Sequence, residues 1–163
     1  MIVPGWKMGR RLAGIVFATA LAALAQPPSV SNLSVRALVG TGQEVLIAGF
    51  HLGPGADQTM LIRATGPALA GFGVTGVLAD PKLEVFAGAT KIGENDNWST
   101  PVGGATAVTP ADFTATGAFG LATGSRDAAF IGRFPPGSYS AKVSGVNTTT
   151  GVALVEVYKV GAG

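Results

Sequence analysis

Short apolar runs, separated by clusters of Gly, Pro and Asn, recur along the chain from residue 33 to residue 160. The runs are rich in Val, Ile, Thr and Phe, which favour extended strands, and no long segment repeats with a helical period. Eight strands at this spacing predict an all-β fold, a two-sheet sandwich of the jelly-roll type. The predicted strands are residues 33–39, 44–52, 59–64, 82–86, 91–94, 128–134, 138–146 and 152–160.

The alternation of apolar and polar residues differs between these strands. In residues 138–146, Tyr139, Ala141 and Val143 alternate with polar neighbours, which predicts one face toward the core and one toward water. Residues 45–50 and 152–155 are apolar on both faces. We expect such strands to lie in the centre of a sheet or beneath a cover, which would be a loop, a neighbouring molecule or a second chain.

Two longer segments connect the strands. Residues 65–81 are rich in Gly and Ala, and Pro67–Phe72 is predicted to form one helical turn. Residues 98–124 form a longer segment that is predicted to be irregular. Because long loops in compact domains often carry function, we expect a binding edge in this second segment.

The first 25 residues have the pattern of a secretory signal. Three basic residues precede an apolar run at 12–24, and Ala23-Leu24-Ala25 supplies a cleavage site of small residues. The run is shorter than the roughly 20 apolar residues of a membrane-spanning helix. We therefore expect residues 1–25 to be a signal peptide and residues 26–163 to be a single β-sandwich domain, with an uncleaved anchor helix as the alternative.

Export changes the interpretation of charge and of partners. Three of the 11 basic residues lie in the predicted signal, which leaves eight bases against the nine acids of the chain. The remaining bases are scattered singly, so a nucleic-acid partner is not expected. The chain has no cysteine, which excludes disulfides and thiol chemistry. We expect a secreted or extracellular protein at the cell surface, or a periplasmic one, without membrane attachment after cleavage.

One polar cluster has the composition of a calcium site. Glu94, Asn95 and Asp96 follow a predicted strand and supply several oxygen ligands within one turn. Asp80 and Asp127 would reach this turn from neighbouring loops. These five residues are the candidate calcium ligands, and calcium is the one cofactor considered. The alternative is an Asx-type turn that closes the strand without binding an ion.

Two further side chains are candidates for binding. Trp98 follows the polar turn and would either stack against a sugar or a partner, or plug an end of the sandwich, which we favour. Arg63 lies within an apolar strand and would either grip an anionic ligand or pair with an acid such as Glu84 on a neighbouring strand. We expect the ion pair.

No catalytic constellation is evident in the sequence. His51 is the single histidine, and no G-x-S-x-G motif accompanies it, so we interpret it as a surface residue at a strand end. Residues 71–76 match G-x-G-x-x-G, but Asp80-Pro81 leaves no room for the helix that a dinucleotide site needs. Acids including Glu84 and Glu94 could in principle form a glycosidase pair. We expect no enzymatic activity and no catalytic residue.

Several motifs carry a resemblance to known modules. The second half contains Asp80-Pro81-x-Leu83-Glu84-Val85-Phe86, Asn95-Asp96-Asn97-Trp98, Asp127-Ala128-Ala129, Pro136-Gly137-Ser138-Tyr139 and Val143-Ser144-Gly145. These motifs resemble the bacterial pre-peptidase C-terminal domain and its relatives. The resemblance implies a β-sandwich module of secreted proteins, some members of which bind calcium or matrix polymers.

The first half extends the resemblance to nearly all of the predicted mature chain. It contains Asn32-Leu33-Ser34-Val35-Arg36, Gly40-Thr41-Gly42, Leu46-Ile47-Ala48-Gly49-Phe50 and Leu61-Ile62-Arg63-Ala64-x-Gly66-Pro67-x-Leu69. Together with the second half, these motifs resemble an uncharacterised module in large secreted proteins of Verrucomicrobia-type bacteria. That resemblance implies a surface module without an assigned activity.

The sequence thus leads to two functional expectations. The first is a non-catalytic binding or adhesion module at the cell surface or in the extracellular matrix, whose partner is a polysaccharide or a protein. The second is a fibre or surface-layer subunit that assembles with its own copies by adding a strand to a neighbouring sheet, since two strands are apolar on both faces.

Overall fold

The computed structural model describes residues 31–161, so the predicted signal peptide and its cleavage site lie outside the described residues. All eight predicted strands are confirmed, with ends that shift by two residues at most. They are β1 Asn32–Val39, β2 Leu46–Leu52, β3 Gln58–Thr65, β4 Pro81–Ala87, β5 Thr90–Asn95, β6 Ala128–Phe134, β7 Gly137–Gly145 and β8 Gly151–Lys159. Between residues 31 and 161, no helix has the length and apolar character needed to cross a membrane.

Residues 31–161 form two antiparallel sheets of four strands each. Sheet A has the order β1-β8-β3-β6, and sheet B has the order β2-β7-β4-β5. The pairs β1–β8 and β3–β6 therefore lie in one sheet, while β2–β7 and β4–β5 lie in the other. This order arises when one long antiparallel hairpin is rolled into two layers. The prediction of a two-sheet sandwich of the jelly-roll type is confirmed.

The sheets pack face to face on an apolar inner core. Ile62 of sheet A and Leu83 of sheet B are completely buried there. The alternation predicted for β7 is confirmed, because Tyr139, Ala141 and Val143 all point into this core. Their polar neighbours along the strand are more exposed.

Sheet A carries a second apolar cluster on the face that points away from sheet B. Leu61 and Tyr158 project from that face, and Trp98 packs with them. Residues 96–127, which we call the covering segment, lie over this cluster. Because β8 lies between β1 and β3, residues 152–155 belong to a central strand, as their two-sided apolar pattern predicts.

The prediction of an irregular structure for residues 98–124 is wrong in one part, because Pro110–Thr116 form a helix, α1. The backbone amide and the hydroxyl of Thr109 both donate to Asp112 Oδ2 at 2.7 Å, which holds the first turn. Gly117 ends the helix in the left-handed conformation, with φ 71°. The helix buries Phe113 in the outer cluster. By contrast, the turn predicted at Pro67–Phe72 is confirmed as a 3₁₀ helix.

The expected position of β2 needs a correction. Its two-sided apolar pattern predicted a central strand or a covered one, but β2 is the edge strand of sheet B. Ile47 points away from the core and is 60% exposed. No strand among the described residues pairs with the outer edge of β2. The edge position excludes the central one.

Candidate functional site

The polar turn after β5 is fixed by hydrogen bonds of the Asn95 side chain. Asn95 is buried, and its Nδ2 donates to the carbonyls of Asn97 and Thr100 at 3.1 and 2.9 Å. Its Oδ1 accepts a hydrogen bond from the backbone amide of Ala129 at 3.0 Å. Asn95 therefore joins β5 to β6 and to the start of the covering segment through its side-chain amide.

Asp127 and Asp80 also have protein partners. Asp127 is fully buried, and its Oδ1 accepts from the amides of Gly66 and Ala68 at 2.7 and 3.3 Å. These bonds fix the start of the 3₁₀ turn. Asp80 Oδ2 lies 3.1 Å from Arg126 Nη1, while its Oδ1 is buried without a hydrogen-bond partner among the described residues. That free oxygen is the part of the predicted site that a cation could still use.

The five candidate calcium ligands do not form a recognisable ion site. Between residues 31 and 161, no three His, Cys, Asp or Glu side chains come close enough together to hold a metal ion. Oxygens of Asn95 and Asp127 are engaged by backbone amides, and Glu94 is engaged by lysines. Asp96 is half-buried beside them. Calcium binding therefore stays a prediction without geometric support.

Trp98 lies in the outer cluster and is 4% exposed. Its indole Nε1 donates to the carbonyl of Ala122 at 3.0 Å, and its ring meets Phe113 edge to face at 5.3 Å. The ring is thus unavailable for stacking against a sugar in this structure. It plugs the outer face of sheet A under the covering segment, rather than an end of the sandwich.

Arg63 pairs with a different acid from the one expected. It is fully buried in β3, and its guanidinium donates to Glu156 on the adjacent β8, not to Glu84. A further nitrogen of the guanidinium donates to the backbone carbonyl of Phe119 at 2.5 Å, and the guanidinium lies 4.2 Å from the centre of the Phe119 ring. Arg63 therefore ties sheet A to the covering segment.

Tyr158 completes this buried polar group. Its hydroxyl donates to Glu156 Oε1 at 2.5 Å, so both carboxylate oxygens of Glu156 are satisfied. Burial of the ring raises the pKa of Tyr158 well above its usual range, and the neighbouring Glu156 carboxylate raises it further. Arg63, Glu156 and Tyr158 are all buried, and we interpret the cluster as the anchor of the covering segment.

The outer face of sheet B carries a network of ion pairs. Lys142 lies 2.5 Å from Glu84, and Lys91 bridges Glu84 and Glu94 at 3.5 and 2.7 Å. Burial opposes ionisation of Glu84, but the hydrogen bond and charge of Lys142 outweigh it and lower its pKa. Hydrogen bonds from Lys91 and then Lys82 lower the pKa of Glu94. Both carboxyl groups are thus held in the ionised form.

His51 lies on β2, and its side chain faces solvent beside Ser138. The two side chains are 3.0 Å apart, from Nδ1 to Oγ, on the exposed face of sheet B. The residues of the G-x-G-x-x-G match lead into Val77, which bridges to Val152, and then into β4 without a helix. That geometry differs from the strand-turn-helix of a dinucleotide site.

One long side of the sandwich has two strand edges with which no other strand within residues 31–161 pairs. This β1–β2 side consists of β1, the edge of sheet A, and β2, the edge of sheet B. Leu33 and Val35 point toward the sandwich interior, since they pair with buried Val157 and Val155, yet each is 37% exposed. A groove of about 240 Å³ separates the two strands.

The backbone of β1 presents hydrogen-bonding groups to solvent. The Ser31 carbonyl accepts from the amide of Lys159 at 2.9 Å, so the odd-numbered residues of β1 bond to β8. Because these groups alternate in an antiparallel pair, the even-numbered residues point theirs away from the sheet. The outward-facing residues are Asn32, Ser34, Arg36 and Leu38.

The opposite long side, formed by β5 and β6, is protected. The pairing of β4 with β5 shifts register between Val85 and Phe86, which bends the edge, and β5 carries Lys91 and Glu94. On β6, Thr106 of the covering segment bridges to Ile131. Bulges, charges and covering segments all hinder the pairing of a foreign strand. On β1 the only charged residue is Arg36, and β2 carries no Asp, Glu, Lys or Arg; neither strand has a proline or a register shift.

Comparisons with models of protein families, with curated proteins and with solved structures found no match to this chain. The two resemblances noted in the sequence therefore stay predictions.

The sequence contained signals of the features that were missed. Glu156 and Arg63 each have apolar residues on both sides in the chain, and two opposite charges in such surroundings indicate a buried pair. The two-sided apolar pattern of β2 is consistent with a central or a covered strand, because a sequence pattern does not show whether a strand has one neighbour or two. Residues 98–124, where a binding edge is predicted, form part of the covering segment.

Proposed function

We propose that this chain is a secreted, non-catalytic module that binds or adheres at the cell surface or in the extracellular matrix. The observation that carries the proposal is the β1–β2 side, with one unprotected edge from each sheet. An edge with free peptide groups and an apolar groove suits an extended protein segment, which adds as a further strand. The favoured partner is therefore a protein rather than a polysaccharide, since the candidate sugar platform Trp98 is buried.

The electrostatics of the acidic side chains support a non-catalytic role. Glycoside hydrolysis by two carboxyl groups needs one that stays protonated near neutral pH, which requires a raised pKa. The pKa values of Glu84 and Glu94 are both lowered by lysines. Directly opposite each other in the β4–β5 pair, these two acids are held as structural partners of the lysines.

Binding can be tested with one variant that blocks the β1 edge. Ser34→Pro removes an outward-facing amide and no bond to β8, and proline is tolerated at such positions of edge strands. Ser34→Ala is the matched control, because it keeps the amide. We expect the purified protein to bind at least one of cell envelopes, collagen-like protein and insoluble polysaccharide. Ser34→Pro should weaken this binding about tenfold, as a loss of about 1.4 kcal/mol implies, and Ser34→Ala should not.

Two results would overturn the proposal. One is the absence of binding to all three materials by the unchanged protein. The other is equal binding by Ser34→Pro and the unchanged protein, which would remove β1 from the contact surface. Export is tested separately by the mass of the protein recovered outside the cell, which should correspond to a chain that begins at Gln26.

A second candidate function is a fibre or surface-layer subunit joined by strand addition. It is favoured by the position of both free edges on the same side, because one contact could then continue both sheets. Sedimentation velocity over a range of concentrations tests it. Species that grow without limit would support a fibre, and a discrete small species or a monomer would exclude it.

A further inference from the structure

Strand β1 is an edge of sheet A and could meet a second copy of itself. This inference rests on the proposed function, since it takes the β1–β2 side as the binding surface. Two copies of one edge can pair antiparallel about a two-fold axis, which makes the same surface face itself. The question is whether any register of β1 against β1 satisfies both the hydrogen bonds and the charges.

The hydrogen-bonding groups restrict the register. Only the even-numbered residues of β1 present amides and carbonyls outward, so an even-numbered residue must face an even-numbered residue of the second copy. This requirement excludes the register that overlaps all of Asn32–Val39, because it would place Val35 opposite Arg36. Two registers remain that lose a single residue at one end of β1, one centred on Val35 and one centred on Arg36.

Charge decides between these two registers. Centring on Arg36 places this side chain directly opposite its own copy, and like charges in a direct cross-strand pair are destabilising. Centring on Val35 places each Arg36 opposite Ser34 of the second copy. Since Arg36 is the one charged residue in Asn32–Val39, no like charges then face each other directly, and the two Arg36 residues become diagonal neighbours about 7–8 Å apart.

The apolar residues agree with the same register. Leu33 of one copy faces Ala37 of the other, and the two Val35 side chains face each other. These residues all point toward the sandwich interior, as their pairing with buried residues of β8 shows. The pairing would therefore continue the apolar inner face of sheet A across both copies and cover side chains that are now partly exposed.

We infer that this chain binds a second copy of itself through antiparallel pairing of β1 with β1, about a two-fold axis at Val35. The same axis brings the two β2 edges toward each other, because β2 lies beside β1 on this side of the sandwich. An isologous contact of this kind closes on itself. It gives a dimer, and it would let copies on facing surfaces adhere to each other.

Single cysteines test the register directly, since the chain has none of its own. Val35→Cys places two thiols opposite each other, where Cβ atoms lie about 4.5–5.5 Å apart. Leu33→Cys is the matched control, because Leu33 and Val35 have the same exposure of 37% and point to the same face. In the proposed register, Leu33 faces Ala37, so two Leu33→Cys thiols lie roughly 13 Å apart along the strands.

We expect Val35→Cys to form a disulfide-linked dimer under mild oxidation about tenfold faster than Leu33→Cys, because only the first pair fits disulfide geometry. A mixture of Leu33→Cys and Ala37→Cys should give the mixed dimer. Equal rates for Val35→Cys and Leu33→Cys would overturn the register. Sedimentation should show a concentration-dependent dimer that Ser34→Pro abolishes and Ser34→Ala retains, and a concentration-independent monomer would overturn the inference.

Hydrogen exchange distinguishes a second copy at the β1 edge from another part of the same chain. In the dimer, the amides of Ser34 and Arg36 should exchange more slowly as the protein concentration rises. Slow exchange at every concentration, in a monomer, would show that another part of the same chain covers the edge and would overturn the inference. A monomer that still loses envelope binding on Ser34→Pro would keep the proposed function and reject the second copy as its partner.

Discussion

The β5–β6 side presents to solvent a bent strand, the charged residues Lys91 and Glu94, and Thr106 of the covering segment. The β1–β2 side presents two regular strands that are nearly uncharged. Each side is formed by one edge strand from each of the same two sheets, so the packing of the hydrophobic core does not itself require the two sides to differ in charge or regularity. Open edges invite pairing with another chain, and proteins usually block them. One side of this sandwich thus carries features that hinder strand addition, and the other side, within residues 31–161, lacks them.

The largest expected effect comes from breaking the buried ion pair that anchors the covering segment. Glu156→Leu leaves the fully buried Arg63 without its carboxylate, which should cost about 3–5 kcal/mol of unfolding free energy. It should also loosen the covering segment, since Arg63 holds the Phe119 carbonyl. Urea denaturation and protease cleavage within residues 96–127 measure both effects.

The double variant Arg63→Met with Glu156→Leu is the control for this prediction. Replacing both members of a buried pair by apolar residues is often neutral. The double variant should therefore be more stable than the single one. A single variant with an unchanged denaturation midpoint would show that the pair does not anchor the cover.

One glycine on each of the edge strands β5 and β2 allows the packing at the two edges to be compared. A Cβ at Gly93 on β5 would approach the ring of Phe130 to 2.3 Å, whereas at Gly49 on β2 the nearest atom is the Tyr139 carbonyl oxygen at 3.9 Å. We expect Gly93→Val to destabilise the fold by about 1–3 kcal/mol. Gly49→Val should change stability by less than about 0.5 kcal/mol. Thermal denaturation of the pair checks this, and equal losses would contradict it.

Adding a charge to β2 should make the two sides more alike. Ile47 lies opposite Lys142 in the β2–β7 pair, so Ile47→Glu gains an opposite charge and should change stability by about 0.5 kcal/mol or less. It should nevertheless reduce concentration-dependent association, which light scattering measures. Ser140→Glu is the control, because it adds the same charge on the central strand β7. Equal effects of the two variants would mean that charge acts without regard to the edge.

The smallest effect concerns pH. The pKa values of Glu84 and Glu94 lie below the ordinary value of 4.5 in the folded state, so these carboxylates stabilise the fold above that pH. Their contribution should be lost as the pH falls through the lowered values. Melting temperatures from about pH 6 to about pH 3 should drop less steeply for Glu94→Gln than for the unchanged protein. An identical slope would show that these ion pairs add nothing to stability.

Local patterns were sufficient to predict most of the fold. The apolar runs between glycine and proline clusters placed all eight strands, because strand formation and turn formation depend on residues close in sequence. The short helix α1 was missed, although Thr109, Pro110 and Asp112 form a recognisable helix start. A seven-residue helix shows little apolar periodicity, so its signal was weaker than that of the strands.

The candidate site was harder to predict. The residues grouped as calcium ligands lie close together in sequence or in predicted loops, but Asp127 accepts from the amide of Gly66 and Asn95 accepts from that of Ala129. Trp98 is buried, but it packs on the outer face of sheet A and not at the end of the sandwich, where a plug is predicted. Partners of this kind are chosen by contacts between residues far apart in the chain, which no local pattern contains.

Residues close together in the chain specify which segments form strands, which faces of those strands are apolar, and that the strands pack as two sheets. These properties follow from the backbone preferences and hydrophobicity of neighbouring residues. Which strand has a neighbour on each side depends instead on the folded arrangement of the whole chain. It placed β8 in the centre and β2 at an edge, although both are apolar on two faces, because the order of strands depends on how the whole chain rolls into two layers.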